Sequence, residues 1–509
     1  MNIELYQVTA EIMPSLTDGE RADFNELLRV WQRKLSRNAL RKRYYDGKNR
    51  LKDLGIAIPP ALTAVETVVG WPAKAVDALA VRSIFDGFTM DDDISTILDE
   101  NDFRLGYSEA VTSELINSCA FVTVSTGRGD EPEVLVSFYS ALTAAAVWDV
   151  RKKRIKCGFT VADYEERSDG RCVPMQVNYY TDAHVVECRR SESGSWTTNR
   201  IENPTGRPLM EPLRYRPSLE RPFGKSRISR AVMSITDSAV RTCLRAEVSA
   251  ELYTSPQRYL LGADEDTFKS SDMDSRAKKV EAYLGTIFAI TPNENGDIPQ
   301  YGQLSAMTMQ PHVDYMRSLA ARFAGETGIP ISSLGVIHDN PASAEAMRVA
   351  SEDLIIEAEA LNETNGRNLE NVARLVVALR DGRPFADVRG DAVRCEFKNP
   401  MRPSIASQTD AVIKQAQVMP WMVEGDEALR IVLAELGYNE SQAAQMVEAK
   451  RREEARATAQ AILERNMGAS GDGTVGRGGV QGRPDVDSGG GAGGVGDGGG
   501  GAQRSAAER

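Results

Sequence analysis

The chain is poor in the residues that build metal and redox sites. Its three histidines, His184, His312 and His338, stand far apart, and its six cysteines (Cys119, Cys157, Cys172, Cys188, Cys243 and Cys395) include no C-x-x-C pair. No zinc spacing exists, and scattered thiols of this kind read as reduced. No run of about 18 apolar residues occurs, so no membrane helix is expected. Residues Met1 to Ala10 carry Glu4 and lack a basic segment followed by an apolar one; a cytoplasmic chain is the expectation. Catalytic signatures are equally scarce. G-x-S-x-G and H-E-x-x-H are missing. Asp91-Asp92-Asp93 is followed by Thr96 where a calcium loop needs glycine. Phe223-Gly224-Lys225-Ser226 lacks the leading glycine of a phosphate loop, because Leu219 stands there. Gly471, Gly473 and Gly476 match a dinucleotide fingerprint in spacing alone, inside a glycine-rich stretch. These absences point away from an enzyme and from any cofactor.

Hydrophobic residues at 41% and charged residues at 26% describe a chain that buries a sizeable core. At 509 residues it holds roughly two to four packed units, or forms one elongated subunit of a larger assembly. A net charge of -12 argues against tight binding of nucleic acid, which needs a local excess of Lys and Arg.

Helical periodicity opens at Thr17 to Asn38, where Phe24, Leu27, Leu28, Trp31 and Leu35 share a face and Thr17 or Asp18 serves as cap. Its polar side carries Arg33, Lys34, Arg37, Arg41, Lys42 and Arg43. That run suits an acidic partner or nucleic acid, and it suits a solvated helix face as well. Ala73 to Val81 reads as a short helix. Between Ala120 and Tyr215 the texture turns alternating and β-branched, with strands at 121–124, 134–136, 155–161, 173–180 and 184–186 separated by turn residues, and the basic run Arg151 to Lys156 as an exposed turn. A helix follows from about Ser226 to Thr254, then a strand at 257–262 and a small α/β insertion with a helix near 275–284 and a strand at 286–290. A second helix starts at Pro311. Asn340 caps, and Pro341 starts, a long helix whose stripe runs from Met347 to Leu379, with a kink at Gly366. A strand at 393–397 and helices over about 407–436 and 440–466 precede a glycine-rich tail too polar to fold.

Taken in order, Tyr44-Tyr45-Asp46-Gly47, Leu51 to Gly55, Val69-Gly70-Trp71-Pro72, Arg221 to Ser229, Ser255-Pro256-Gln257-Arg258-Tyr259 and Thr327-Gly328-Ile329-Pro330 through Met347 resemble the portal proteins of tailed bacteriophages, those of siphophages infecting actinobacteria in particular. The resemblance spans roughly residues 40–400 and implies an α+β, predominantly helical portal fold. Its parts would be an N-terminal helical segment (1–59), an α/β wing with β-rich hairpins (60–225), a stem helix (226–254), a clip (255–310), a second stem helix (311–332), a tunnel loop (333–342), a long kinked helix with the return strand of the wing (343–403), a helical crown (404–467) and a disordered tail (468–509).

The same resemblance implies a homo-oligomeric ring, usually of about twelve copies, at one capsid vertex in the virion, assembled in the host cytoplasm. Such a ring is the channel for genome packaging and ejection. Its implied partners are the terminase large subunit, scaffold and major capsid protein, and the head-completion or adaptor protein, with double-stranded DNA passing through on weak, non-specific contacts. The DNA-facing loop would comprise Leu334, Gly335, Val336, Ile337, His338, Asp339, Asn340, Pro341 and Ser343. Arg317 and Arg322 would line the channel from the second stem helix, although a solvent-facing place or intersubunit ion pairs suit them better; Gln257, Arg258 and Tyr259 would belong to the clip. Two rival readings differ in what they require. A portal fused to a maturation function needs a further domain after residue 400, and a DNA-translocating ATPase needs a complete phosphate loop.

Overall fold

The computed structural model describes residues 2–3, 10–13, 15–49, 67–168, 171–191, 193–253, 258–261, 298, 300–303, 308–335, 349, 351–390, 393–401, 405–419, 421, 425–436, 438 and 440–469. They form an α+β structure in two units, residues 1–402 and 403–509.

In the first unit the N-terminal helix α1 (Asp18–Tyr45) opens on a capping box: Thr17 accepts from the Glu20 amide, and the Glu20 side chain accepts from the Thr17 amide. Its buried face, Phe24, Leu27, Leu28 and Trp31, packs on a six-stranded sheet. That sheet runs β5 (Ala144–Asp149), β6 (Arg154–Glu166), β7 (Arg171–Tyr180), β8 (His184–Arg190) and β9 (Trp196–Glu202), antiparallel throughout, with β1 (Asn2–Ile3) pairing parallel to β7. Phe24 meets Tyr179 edge-on at 5.3 Å, and Trp31 meets Phe159 at 5.1 Å. The aromatic residues of this chain are few, and several are spent on this contact.

The larger core surrounds a three-stranded antiparallel sheet in the order β10 (Met210–Arg214), β3 (Cys119–Thr126), β4 (Val134–Ser140). Around it lie α2 (Trp71–Ala80), α3 (Ser95–Glu100), α4 (Phe103–Asn117), α5 (Arg230–Tyr253), α6 (Gln310–Thr327) and α7 (Glu352–Arg380). A two-stranded ribbon joins β2 (Phe85–Thr89) antiparallel to β13 (Arg394–Phe397). Another joins β11 (Arg258–Leu261) to β12 (Gln300–Gln303). The second unit contains α8 (Ile405–Val418), α9 (Asp426–Glu435) and α10 (Glu440–Ala469), with Leu433, Ala443 and Val447 buried against one another.

Several sequence expectations shift. The helix expected to end near Asn38 runs on to Tyr45. The segment expected at 407–436 divides into α8 and α9, with Pro420 in the interval between them. The hydrogen-bonded run of α7 continues through Gly366, where the ring of Phe397 would lie 3.3 Å from an added Cβ; the glycine serves close packing of β13. The turn expected over Arg151 to Lys156 covers only residues 150–153; Arg154, Ile155 and Lys156 open β6. Strands β1, β2, β5, β9, β10 and β12 and helices α3 and α4 are not among the sequence expectations. The expected helix at 275–284, the strand at 286–290, the caps at Asn340 and Pro341 and the tail beyond 469 lie outside the described residues.

Candidate functional site at the junction of the long helices

Helices α5 and α6 lie antiparallel. At one end Ser229 Oγ donates to Glu326 at 2.9 Å, and at the other Ser249 and His312 share a hydrogen bond of 3.3 Å. At 1.5 Å per residue α5 extends about 36 Å. Ile228, Val232, Ile235 and Ala239 meet Leu319, Ala320 and Phe323 in the main core, so one face of each helix is apolar for a reason. The far end of the pair carries the β11–β12 ribbon, in which Arg258 pairs with Gln303 and Tyr259 with Gly302. Gln257 lies outside the described residues.

The near end is organised by one buried cation. Arg227, 5% exposed, donates from Nε to the Ala75 carbonyl at 2.6 Å, from Nη1 to the Tyr215 hydroxyl at 3.0 Å and from Nη2 to the Thr327 carbonyl at 2.7 Å. Its charge is met by Glu357 at 2.5 Å. The same carboxylate accepts from the Tyr215 hydroxyl and from Arg216 at 2.9 Å. Burial, helped by this carboxylate, pushes the Tyr215 phenol up to about 12. A guanidinium with donors in a fixed fork suits such a point, where four elements bring acceptors from different directions.

Arg227 thereby fastens both feet of the segment between α6 and α7. Helix α6 ends at Gly328, whose φ of +66° makes it a left-handed cap with its amide on the Ala324 carbonyl. Ile329 is buried, a single 3-10 turn covers Ile331–Leu334, and Gly335 follows at φ +81°. Leu334 is buried in the main core. This corrects its expected place among DNA-facing residues: an apolar side chain at the loop's foot is drawn into the core, where it anchors the loop. Val336, Ile337, His338, Asp339, Asn340, Pro341 and Ser343 lie outside the described residues. Arg317 and Arg322 are both exposed on α6. Arg317 makes a weak pair at 3.9 Å with Asp314 on the same helix.

Glu114, on α4, marks a second buried polar cluster that the sequence reading missed. It accepts from Asn365 Nδ2 at 2.8 Å, while Asn365 Oδ1 accepts from the Arg214 amide at 3.1 Å and Asn368 Oδ1 from the Arg214 side chain at 3.2 Å. Burial raises the Glu114 carboxyl to about 8, against the opposing effects of the Asn365 hydrogen bond and the Arg214 charge. Asn362, Asn365 and Asn368 recur at three-residue spacing in the apolar stripe of α7, a polar interruption that could have flagged this cluster.

The phosphate-loop lookalike is a structural joint. The Gly224, Lys225 and Arg227 amides donate to the carbonyls of Arg221, Tyr215 and Leu115 at 2.9, 2.9 and 2.8 Å, and Ser226 Oγ donates to Ile116 at 2.5 Å. Amides already spent on carbonyls cannot cradle a phosphate.

Residues 25–450 match the family model described as phage portal protein, SPP1 Gp6-like. The chain belongs to this portal protein family. Two portal relatives agree: the portal protein of Mycobacterium phage L5 is 26% identical over 386 residues, covering 73% of this chain and 77% of that one. The portal protein of Mycobacterium phage D29 is 27% identical over 387 residues, with the same coverage. Among solved structures, a chain of the native gene transfer agent virion aligns at TM-score 0.37 and 11% identity over 68% of this chain and 85% of its own length. A chain of the native gene transfer agent neck aligns at 0.38 and 11% over 71% and 89%. For a portal protein the joint at Arg227 is of interest because it sits beside the segment between α6 and α7.

Proposed function

We propose that this chain assembles into a closed ring at one vertex of a capsid and forms the channel through which the genome is packaged and ejected. Membership of the portal family is the observation that carries the reading. The antiparallel α5–α6 pair suits a two-helix stem, and the β11–β12 ribbon at its far end suits a clip on which the terminase large subunit docks. In this reading residues 60–225 with β13 form the wing, 404–467 the crown, and the ring meets scaffold and major capsid protein outside and a head-completion or adaptor protein after packaging. The segment from Gly335 through Ser343 faces double-stranded DNA, with Leu334 as its buried anchor and Arg227 holding both of its feet against the moving polymer. An acidic chain suits weak, sequence-independent contact, since strong phosphate binding would stall translocation. The work of packaging comes from the motor's nucleotide.

Native mass spectrometry and negative-stain averages of the purified chain test the ring. A closed particle of about twelve copies with a central channel supports it; a chain that stays monomeric or dimeric even with scaffold present overturns it. Deleting Gly335 to Asn340 tests the loop. Unchanged DNA filling and retention in a packaging assay would remove its DNA-facing role.

A further inference from the structure

We propose that neighbouring copies of this chain meet through opposite charges at the two ends of the β3–β4 hairpin, a basic face on α1 of one copy docking against the acidic hairpin turn of the next. The inference rests on the ring reading above and names its contact.

The basic pole stands at the hairpin's base. Arg33, Lys34 and Arg37 are exposed and Arg41 half-buried on one face of α1. Arg41 reaches the Asn117 carbonyl at 3.2 Å and Asn38 the Ala141 carbonyl at 3.5 Å, next to Ser140, which pairs with Ala120 where the hairpin begins. Arg221 approaches from the Ser218–Arg221 turn, whose Leu219 is fully exposed. Burial and then the neighbouring charges of Arg37, Arg33, Arg41 and Arg221 hold the Lys34 ammonium below its ordinary pKa. The five cations therefore share one field, and among the described residues none of them forms an ion pair with a carboxylate.

The acidic pole stands at the other end of the same hairpin, where Thr126 pairs with Val134. There Asp130, Glu131 and Glu133 face Asp93 and Glu100 across a cleft. Residues 91–102 and 127–133 together hold nine acidic side chains and one basic one, Arg128. Arg380 and Arg383 offset part of this charge through Asp92, at 3.7 and 3.5 Å. The eight residues of β3 set the poles about 26 Å apart.

A subunit with unlike poles at opposite ends is suited to head-to-tail contact, the kind that closes into a ring when its rotation closes. A two-fold contact through either pole would set like charges face to face. DNA could also occupy the basic face, but DNA leaves the acidic pole without a partner, whereas a second copy accounts for both.

The test uses the full-length chain. Lys34→Glu with Arg37→Glu reverses the basic pole, Asp130→Lys with Glu133→Lys reverses the acidic pole, and a fourth chain carries all four changes. All four side chains are exposed, and an unchanged thermal melt by circular dichroism confirms folding. In native mass spectrometry at low salt each single-pole reversal is expected to lower the ring fraction about tenfold or more, because like charges at an interface cost several kcal/mol. The four-fold variant is expected to restore it. A wild-type ring indifferent to either reversal overturns the contact, as does loss of the ring without restoration. A basic-pole variant that keeps its ring but loses DNA retention assigns the face to DNA and also overturns it. A wild-type chain that forms no ring under any condition removes the ring reading itself, a result separable from these.

Discussion

Arg227 donates from Nη2 to the main-chain carbonyl of Thr327 across 2.7 Å, joining residues one hundred positions apart. The bond fixes the approach to α5 against the last turn of α6. Because Glu357 pairs with the same guanidinium, the start of α7 is held to that point as well.

Removing the cation breaks its pair with Glu357, which keeps Arg216 and the Tyr215 hydroxyl, and leaves the Ala75 and Thr327 carbonyls without their buried donor. Arg227→Met is expected to cost about 3–5 kcal/mol, read as a lower denaturant midpoint of the main transition. Arg227→Lys keeps the charge without the fork and should fall between Met and wild type. Adding Glu357→Gln to Arg227→Met should recover part of the loss; full additivity of the two would show that the residues do not act as a pair.

Glu114 makes stability depend on pH. Its folded-state pKa of about 8 lies above the ordinary carboxyl value of 4.5, so the native state holds a proton that the unfolded chain releases. The stabilisation is fully present below about 4.5 and is lost as pH rises towards about 8. Glu114→Gln should flatten that slope and leave the variant more stable than wild type at about pH 8, by on the order of 1 to 3 kcal/mol. Denaturant midpoints at about pH 5 and pH 8 measure it, and parallel pH dependences would sink the assignment.

Gly224 and Lys225 separate a backbone role from a phosphate-binding one. Gly224 sits at φ +72° with the Tyr215 carbonyl in the way of any Cβ. Gly224→Ala is expected to cost about 3 kcal/mol or abolish soluble expression. The exposed Lys225 should tolerate alanine within about 0.5 kcal/mol, with no ATP-dependent shift in melting temperature in either chain.

The thiols should be slow to react. Cys119, Cys157, Cys172 and Cys188 are buried, and burial pushes Cys119, Cys157 and Cys188 up to about 12. A thiol reagent at about pH 8 is expected to spare all four until denaturant is added, since the thiolate is the reactive form. Rapid native labelling of any of them, located by peptide mapping, would contradict the packing.

The long helices were legible because each covers one apolar face and leaves the other wet, as Val232, Ile235 and Ala239 do in α5. Helix α4 was not, because Phe103, Tyr107, Ala110, Val111, Glu114, Leu115 and Ile116 are buried on more than one side, which removes the contrast that periodicity needs. Strand β9 is mostly exposed and polar; its pairing with β8 defines it, and local composition carries no trace of that. At the candidate site the segment Thr327-Gly328-Ile329-Pro330 could be read, although the helix expected through residue 332 ends at Thr327. The buried polar groups could not, since Glu114 and Arg227 acquire partners only when Asn365, 251 positions from Glu114, and Thr327 are folded against them.

The β2–β13 ribbon stitches Phe85 to Phe397 and Thr89 to Arg394, with the Lys398 amide on the Ile84 carbonyl at 2.9 Å beside it. The chain between those strands, which carries most of the main core, thus begins and ends at one place. Closing a longer excursion costs only about 0.6 kcal/mol for each doubling of its length. The β11–β12 pairing brings Leu261 and Gln300 together in the same way, so residues inserted between them are expected to cost little in closure free energy.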